Sequence, residues 1–139
     1  MTILDTNVVS EALKPSPSRI VLEWLAAQET SEVFLTAITM AEVLAGVETL
    51  PAGKRKAKLA SSIEKILTEY FQCPILPFDA QAARVYAKLV RSRNAIGRPI
   101  SQFDAMIAAV ASSHGADVAT RNTSDFEHCG IRVVNPWTA

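Results

Sequence analysis

The 139-residue chain has little cysteine, and the two it has, Cys73 and Cys129, stand far apart and form no C-x-x-C pair. This scarcity argues against a disulfide framework and against a cysteine zinc site. Reduced thiols are the normal state of cysteine in the cytoplasm. We therefore expect a cytoplasmic protein.

Long apolar runs are also missing. The longest one, residues 105–111, falls far below the ~20 residues that a membrane-spanning helix needs. The first residues carry no basic stretch followed by an apolar region, so neither a secretory signal nor a membrane span is predicted. Neither sign of charge is in excess, since 14 Lys and Arg balance 14 Asp and Glu. A histone-like mode of binding nucleic acid is thereby excluded, although a local basic patch is not.

The composition is that of a folded chain, with 49% hydrophobic and 20% charged residues. No repeat, low-complexity tract or linker divides it, so we expect a single domain over residues 1–139. Short apolar runs alternate with helical patterns along the sequence. These runs predict strands at residues 3–4, 33–36, 74–78, 118–120 and 131–134.

Strands that alternate with helices predict an α/β fold with a mostly parallel sheet covered on both faces. Ligands of such sheets bind beyond the carboxyl ends of the strands. Asp5 directly follows the first predicted strand, and residues 120–125 follow a later one. Both segments are therefore candidates for the functional site.

Three acidic residues have both a structural and a chemical interpretation. Asp5 is well placed to cap the helix that follows it. Glu42 and Asp104 complete the capping-box spacings Thr39-x-x-Glu42 and Ser101-x-x-Asp104, where Thr39 and Ser101 would begin helices. On the structural interpretation, all three acids only stabilise helix ends.

The residues around these acids favour the chemical interpretation, in which the acids hold a cation. Asp104 shares a helical face with Ile107, Ala108 and Ala111, whereas Ala45 and Gly46 leave space beside Glu42. An unpaired carboxylate at the edge of a core is costly unless a cation or a proton neutralises it. If the three acids converge at the strand ends, they predict a site for Mg²⁺ or Mn²⁺.

Several motifs together resemble a known family. They are Ile3-Leu4-Asp5-Thr6-Asn7, Thr39-x-x-Glu42, Phe103-Asp104-x-x-Ile107-Ala108, residues 119–126 and the terminal Asn135-Pro136-Trp137. Their order and spacing resemble the PIN-domain ribonucleases, especially VapC-type toxins of the FitB-like branch. The resemblance covers essentially the whole chain, although each motif is weak alone.

This resemblance implies a PIN-like three-layer α/β/α domain with an acidic, metal-binding pocket. Asp5, Glu42 and Asp104 match the family's three main acids, as catalytic residues and as metal ligands. Many PIN domains have an aspartate where this chain has Asn122. We expect Asn122 to line the site, and Asp125 either supplies the missing charge or caps a short segment.

The implied reaction is Mg²⁺-dependent hydrolysis of RNA phosphodiesters, with Mn²⁺ as a possible substitute, leaving a 3′-hydroxyl and a 5′-phosphate. Thr6, Asn7 and Thr120 are short polar neighbours suited to holding waters or carboxylates in place. Away from the metal, the sequence contains two basic clusters that bear on RNA binding. Arg84, Lys88 and Arg91 share one helix face, with Arg93 and Arg98 nearby, and are the candidate RNA contacts; the cluster Lys54, Arg55, Lys56 and Lys58 is expected to be a solvated helix face.

The resemblance also implies partners: an RNA substrate, an antitoxin protein, a second copy of the chain in a homodimer, and operator DNA reached only through the antitoxin. Two other interpretations remain open. A haloacid-dehalogenase-like phosphatase would need an acid where Asn7 stands. The second is a non-catalytic, dimeric PIN-like module that binds a partner protein or nucleic acid, and the Asn122 departure keeps this interpretation open.

Overall fold

The computed structural model describes residues 1–139 and contains four strands and six α-helices. The strands are β1 (Thr2–Leu4), β2 (Val33–Phe34), β3 (Asp117–Ala119) and β4 (Val133–Val134). The helices are α1 (Thr6–Ala12), α2 (Arg19–Ala26), α3 (Ala37–Glu48), α4 (Lys54–Lys65), α5 (Ala80–Ala95) and α6 (Gln102–His114). A π-helical turn at Ile66–Tyr70 extends α4, and a 3-10 turn occupies Thr123–Phe126. No helix combines the length and apolar character that crossing a bilayer requires.

The four strands form one parallel sheet in the order β2-β1-β3-β4, which confirms the predicted topology. The two central strands are aligned so that Leu4 stands opposite Ala119. Both strands end at this point. The residues that follow β1 and β3, Asp5 and Thr120, therefore lie side by side at the carboxyl edge of the sheet.

Successive residues of the central strands pack on opposite faces of the sheet. Ile3 and Val118 belong to a core that includes residues of α5 and α6, whereas Leu4 and Ala119 belong to a second core that includes residues of α1 and α2. Each face is thus covered by helices. The predicted three-layer α/β/α arrangement is confirmed.

The strand predicted at residues 74–78 is wrong. This segment makes only a single bridge, between Thr36 and Leu76. Leu76 donates its N–H to Leu35 and accepts from Ala37, both at 2.9 Å. The prolines at 74 and 77 have no N–H to donate, so the pairing cannot continue on either side.

The helix start predicted at Thr39 is also wrong. Helix α3 begins at Ala37, and the extended residue Thr36 caps it by accepting the N–H of Thr39 at 3.1 Å. Thr39 is instead fully buried inside the helix. The capping box assigned to Thr39 and Glu42 therefore does not exist, which leaves Glu42 without that structural role. The Ser101 cap of α6 is present, since Ser101 accepts the N–H of Asp104 at 3.3 Å.

Candidate active site

Asp5 lies between β1 and α1, where its side chain is 5% exposed. The two carboxylate oxygens have separate partners. Oδ1 accepts the N–H of Thr6 at 2.8 Å, and Oδ2 accepts the hydroxyl of Thr120 at 2.8 Å. The carboxylate is therefore held by Thr6 at the start of α1 and by Thr120 after β3. The predicted helix-capping role of Asp5 is confirmed, and it does not preclude a role in chemistry.

Thr120 uses all the hydrogen-bonding capacity of its hydroxyl. Besides donating to Asp5, Oγ1 accepts from Nδ2 of Asn7 and from the N–H of Asn122, both at 3.1 Å. A hydroxyl has one donor and two acceptor positions, so none is left over. Asn7 also accepts the N–H of Arg121 at 3.3 Å. Asn7 and Thr120 thus hold the Asp5 carboxylate and the start of the loop after β3 in one network.

Glu42 reaches the same place from α3. The hydroxyl of Thr6 donates to Oε1 of Glu42 at 2.8 Å and lies 3.4 Å from the hydroxyl of Thr39. Thr39 and Glu42 are one helical turn apart, so both face the start of α1. The other oxygen of Glu42 makes no hydrogen bond to the protein. It is available to water or to a ligand.

The acids share one electrostatic site. The pKa of Asp5 is raised to about 6, chiefly because the carboxylate is buried; the hydrogen bonds from Thr120 and Thr6 lower it, and the charges of Asp104 and Glu42 also contribute to the rise. No Lys or Arg side chain forms an ion pair with any of the three acids. Asp5 therefore lies within electrostatic reach of two other carboxylates and has no ion-pair partner.

Asp104 occupies the first turn of α6 and is half-buried. Ile107, Ala108 and Ala111, which share its helical face, are fully buried, as the sequence pattern predicted. Burial raises the pKa of Asp104, and the nearby charge of Asp125 raises it too. The hydrogen bond to Ser101 and the charge of Arg93 act in the opposite direction. The charge of Asp104 thus acts on Asp5, and the charge of Asp125 acts on Asp104.

The fourth position of the site has two candidates. Asn122 precedes the Thr123–Phe126 turn, is exposed, and contacts the network through its backbone N–H to Thr120. Asp125 is exposed within that turn, and its charge raises the pKa of Asp104. Both residues lie beside the acids, and which of them completes the site stays a prediction.

Arg93 was expected near the exposed cations of α5, but the structure buries it. It is 4% exposed on α5, and its guanidinium donates to the carbonyls of Arg98 at 2.7 Å and of Asp125 and Glu127 at 2.9 Å. It ties the turn that carries Asp125 to α5. The sequence contained a signal for this burial, because Arg93 continues the inward-facing spacing of Ala82, Tyr86 and Leu89.

The candidate RNA contacts Arg84, Lys88 and Arg91 are exposed on α5, and none forms an ion pair. No contact links them to the acids, so their role in RNA binding stays a prediction. Lys54, Arg55 and Lys58 are likewise exposed on α4.

The donor set suits a hard divalent cation held largely through water. No group of three or more His, Cys, Asp or Glu side chains is close enough to enclose an ion by itself. Mg²⁺, however, keeps several waters and is commonly held by one or two carboxylates. The oxygen-only donors, the free oxygen of Glu42 and the unneutralised charge around Asp5 fit that mode of binding.

Several known proteins are similar to this chain over nearly all of its length. The chain is 43% identical over 137 residues to the VapC ribonuclease Y4jK of Sinorhizobium fredii, covering 99% of this chain and 98% of that protein. It is 41% identical over 137 residues to Toxin FitB of Neisseria gonorrhoeae, covering 99% of both. A solved structure of FitAB bound to an IR36 DNA fragment superposes with a TM-score of 0.92 at 41% identity, covering 99% of this chain and 96% of that chain.

The description "PIN domain" applies to residues 2–130, which include β1, the three acids and the turn with Asn122 and Asp125. The two relatives each cover 99% of this chain, at 43% and 41% identity. The chain therefore belongs to the PIN domain family.

Proposed function

We propose that this protein is a divalent-metal-dependent endoribonuclease and the toxin of a toxin–antitoxin pair, acting in the cytoplasm. The relatives named above as a VapC ribonuclease and as Toxin FitB support the reaction class and the biological role. Asp5, Glu42 and Asp104 are the proposed catalytic acids and metal-holding residues. Asn122 and Asp125 are the proposed completing residues.

The observation that carries the proposal is the buried Asp5 carboxylate. It lies within electrostatic reach of two further acids and has no protein cation as a partner. Such an arrangement costs free energy in a protein whose only task is to fold. A divalent cation with a bound phosphate would remove this cost, and Mg²⁺ or Mn²⁺ suits carboxylate oxygens.

When bound, the cation supplies positive charge that offsets the charge growing on the phosphate and lowers the pKa of water. The residues of the chain position the reactants. Asp5 is fixed through both oxygens, so its direction is set before any ligand binds. Glu42 keeps one oxygen free, and Asp104 has a raised pKa, so these two acids are the groups that orient the attacking water or accept its proton.

A cleavage assay tests this function. Purified protein is incubated with a mixed-sequence RNA in Mg²⁺, with EDTA and the variants Asp5→Asn and Asp104→Asn as comparisons. We expect Mg²⁺-dependent cleavage by the wild type only. RNA binding without cleavage by any of the proteins would instead support the non-catalytic binding module.

The proposed partners follow from the relatives. The solved FitAB structure contains DNA, and a second solved structure is named FitAcB of Neisseria gonorrhoeae. For this chain we propose an antitoxin protein, a homodimer, and contact with operator DNA only through the antitoxin. Co-expression with a small protein encoded beside it, followed by mass measurement of the complex, tests the first two; measuring operator-DNA binding with and without the small protein tests the third.

A further inference from the structure

An open groove of about 760 Å³ runs between the end of α1, one side of α3 and α4. We refer to it as the α3–α4 groove. Its apolar floor includes Val43, Val47 and Ile63, and Glu42 lies on its wall. Glu42 accepts a hydrogen bond from Thr6, which is bonded in turn to Asp5, so Glu42 belongs both to the groove and to the acidic site.

The walls of the groove are strongly cationic. Lys14, Arg55, Lys58 and Lys65 all line it, and its only acidic lining residue is Glu42. Arg55, Lys58 and Lys65 form no ion pair, whereas Lys14 lies 3.3 Å from the buried Glu11. Like charges collected along one concave surface repel one another, and an anionic ligand relieves that repulsion.

The spacing of these cations suits an extended polyanion better than a single anion. Arg55 and Lys65 are ten residues apart on α4 and its last turn, a rise of about 15 Å at 1.5 Å per residue. Lys58 lies between them on the same side. A row of cations over an apolar floor matches a single strand, whose phosphates are charged and whose bases stack or pack on apolar surface.

We propose that the α3–α4 groove is the track along which single-stranded RNA reaches the acidic site, with Arg55, Lys58 and Lys65 contacting its phosphates. The inference rests on the proposed function and adds the path of the substrate to it. It also gives Arg55 and Lys58 a role other than the solvated helix face expected from the sequence pattern. The cluster Arg84, Lys88 and Arg91 on α5 does not line this groove.

The α5 cations provide a matched control. Arg55→Ala/Lys58→Ala and Arg84→Ala/Lys88→Ala each remove one Arg and one Lys from an exposed helix face. Binding of a 12-nucleotide, fluorescein-labelled, mixed-sequence RNA is measured by anisotropy in EDTA, so that cleavage plays no part. We expect about a tenfold weakening for the groove pair and a salt-dependence slope lower by about 1.4, at about 0.7 per lost phosphate contact. The α5 pair is expected to bind like the wild type.

A charge-neutral variant tests the shape of the groove separately. Gly46 lies on α3 at the groove, and a Cβ added there meets no atom within 4 Å. Gly46→Leu is therefore expected to fold, to narrow the groove and to weaken RNA binding without changing the net charge. Thermal unfolding of each variant checks that the fold is intact.

The outcomes are separable from those of the proposed function. Equal weakening by the two double variants, or unchanged binding by the groove pair and by Gly46→Leu, overturns the groove proposal while wild-type cleavage can still succeed. Retained RNA affinity with lost antitoxin binding would assign the groove to a protein segment, which also overturns it. Weakened binding by the groove variants alone supports it.

Discussion

The hydroxyl of Thr120 donates a hydrogen bond to Oδ2 of Asp5 at 2.8 Å, joining residues that are 115 positions apart in the sequence. The bond exists because β1 and β3 are aligned and end together. It fixes the most buried acid of the site and lowers a pKa that burial raises. The hydroxyl therefore contributes both to the fold and to the charge state of the site.

Thr120→Val is expected to weaken the site through Asp5. The valine leaves Oδ2 of Asp5, Nδ2 of Asn7 and the N–H of Asn122 without their partner. We expect stability to fall by about 1–3 kcal/mol and Mn²⁺ affinity to fall by about 10- to 100-fold. Urea unfolding and calorimetric titration measure the two effects. Thr120→Ser keeps the hydroxyl and should stay close to the wild type; an equal loss in both variants would contradict the role of the hydrogen bond.

The pKa of Asp5 makes a specific contribution to stability in metal-free buffer. Because the pKa of Asp5 in the folded state, about 6, lies above the ordinary aspartate value of 3.8, the folded state holds the proton more tightly than the unfolded chain does. Stability is therefore lost as the pH rises from about 4 to about 6, by about 3 kcal/mol in total.

Asp5→Asn removes this titration. The free energy of unfolding of the wild type minus that of Asp5→Asn should fall by about 3 kcal/mol between pH 4 and pH 7 in EDTA. Taking the difference cancels the titration of groups that both proteins share. A difference that is constant with pH, or that rises, would show that Asp5 is not the desolvated acid described above.

Local signals in the sequence were sufficient for much of the fold. Ser101 caps its helix through a bond to the residue three positions ahead, so the Ser101-x-x-Asp104 spacing alone identifies it. Thr36 and Thr39 show where such signals fail. The two threonines are three positions apart, and the choice of Thr36 depends on the end of β2 and on the bridge to Leu76, a contact across 40 positions.

The site was predictable in its acids and less so in its surroundings. The sequence marked Asp5, Glu42 and Asp104 as candidate site residues, and in the structure the charges of Glu42 and Asp104 act on Asp5. The hydrogen bond from Thr6 to Glu42 depends on how α1 and α3 pack, which no local pattern specifies. The burial of Arg93 also arises from packing between helices, so the pattern of charges alone placed it among the exposed cations.

Arg93→Met is expected to destabilise the fold by about 3 kcal/mol or more. The change leaves the carbonyls of Arg98, Asp125 and Glu127 without the donor that they share, in a place that is hidden from water. Arg91→Met, on the exposed side of the same helix, should change stability by less than about 0.5 kcal/mol. Urea unfolding compares them, and similar effects of the two substitutions would rule out a special role for the buried guanidinium.

Asn122 is expected to limit the number of tightly held ions. With an amide at this position, the site has one negative charge fewer than an aspartate would provide, so we expect one Mn²⁺ per chain. Asn122→Asp should bind Mn²⁺ about tenfold more tightly, because ligand charge sets the affinity. Calorimetric titration gives both stoichiometry and affinity. Two equally tight ions in the wild type, or no effect of the added carboxylate, would refute this expectation.

The location of the cation tests the account most directly. Crystals of the wild type soaked in Mn²⁺ and measured at a wavelength where manganese scatters anomalously should show a peak in contact with the carboxylates of Asp5 and Asp104, directly or through water. The peak should disappear in Asp104→Asn crystals soaked in the same way. A peak far from these acids, or none at a saturating concentration of Mn²⁺, would contradict a metal-dependent nuclease site here.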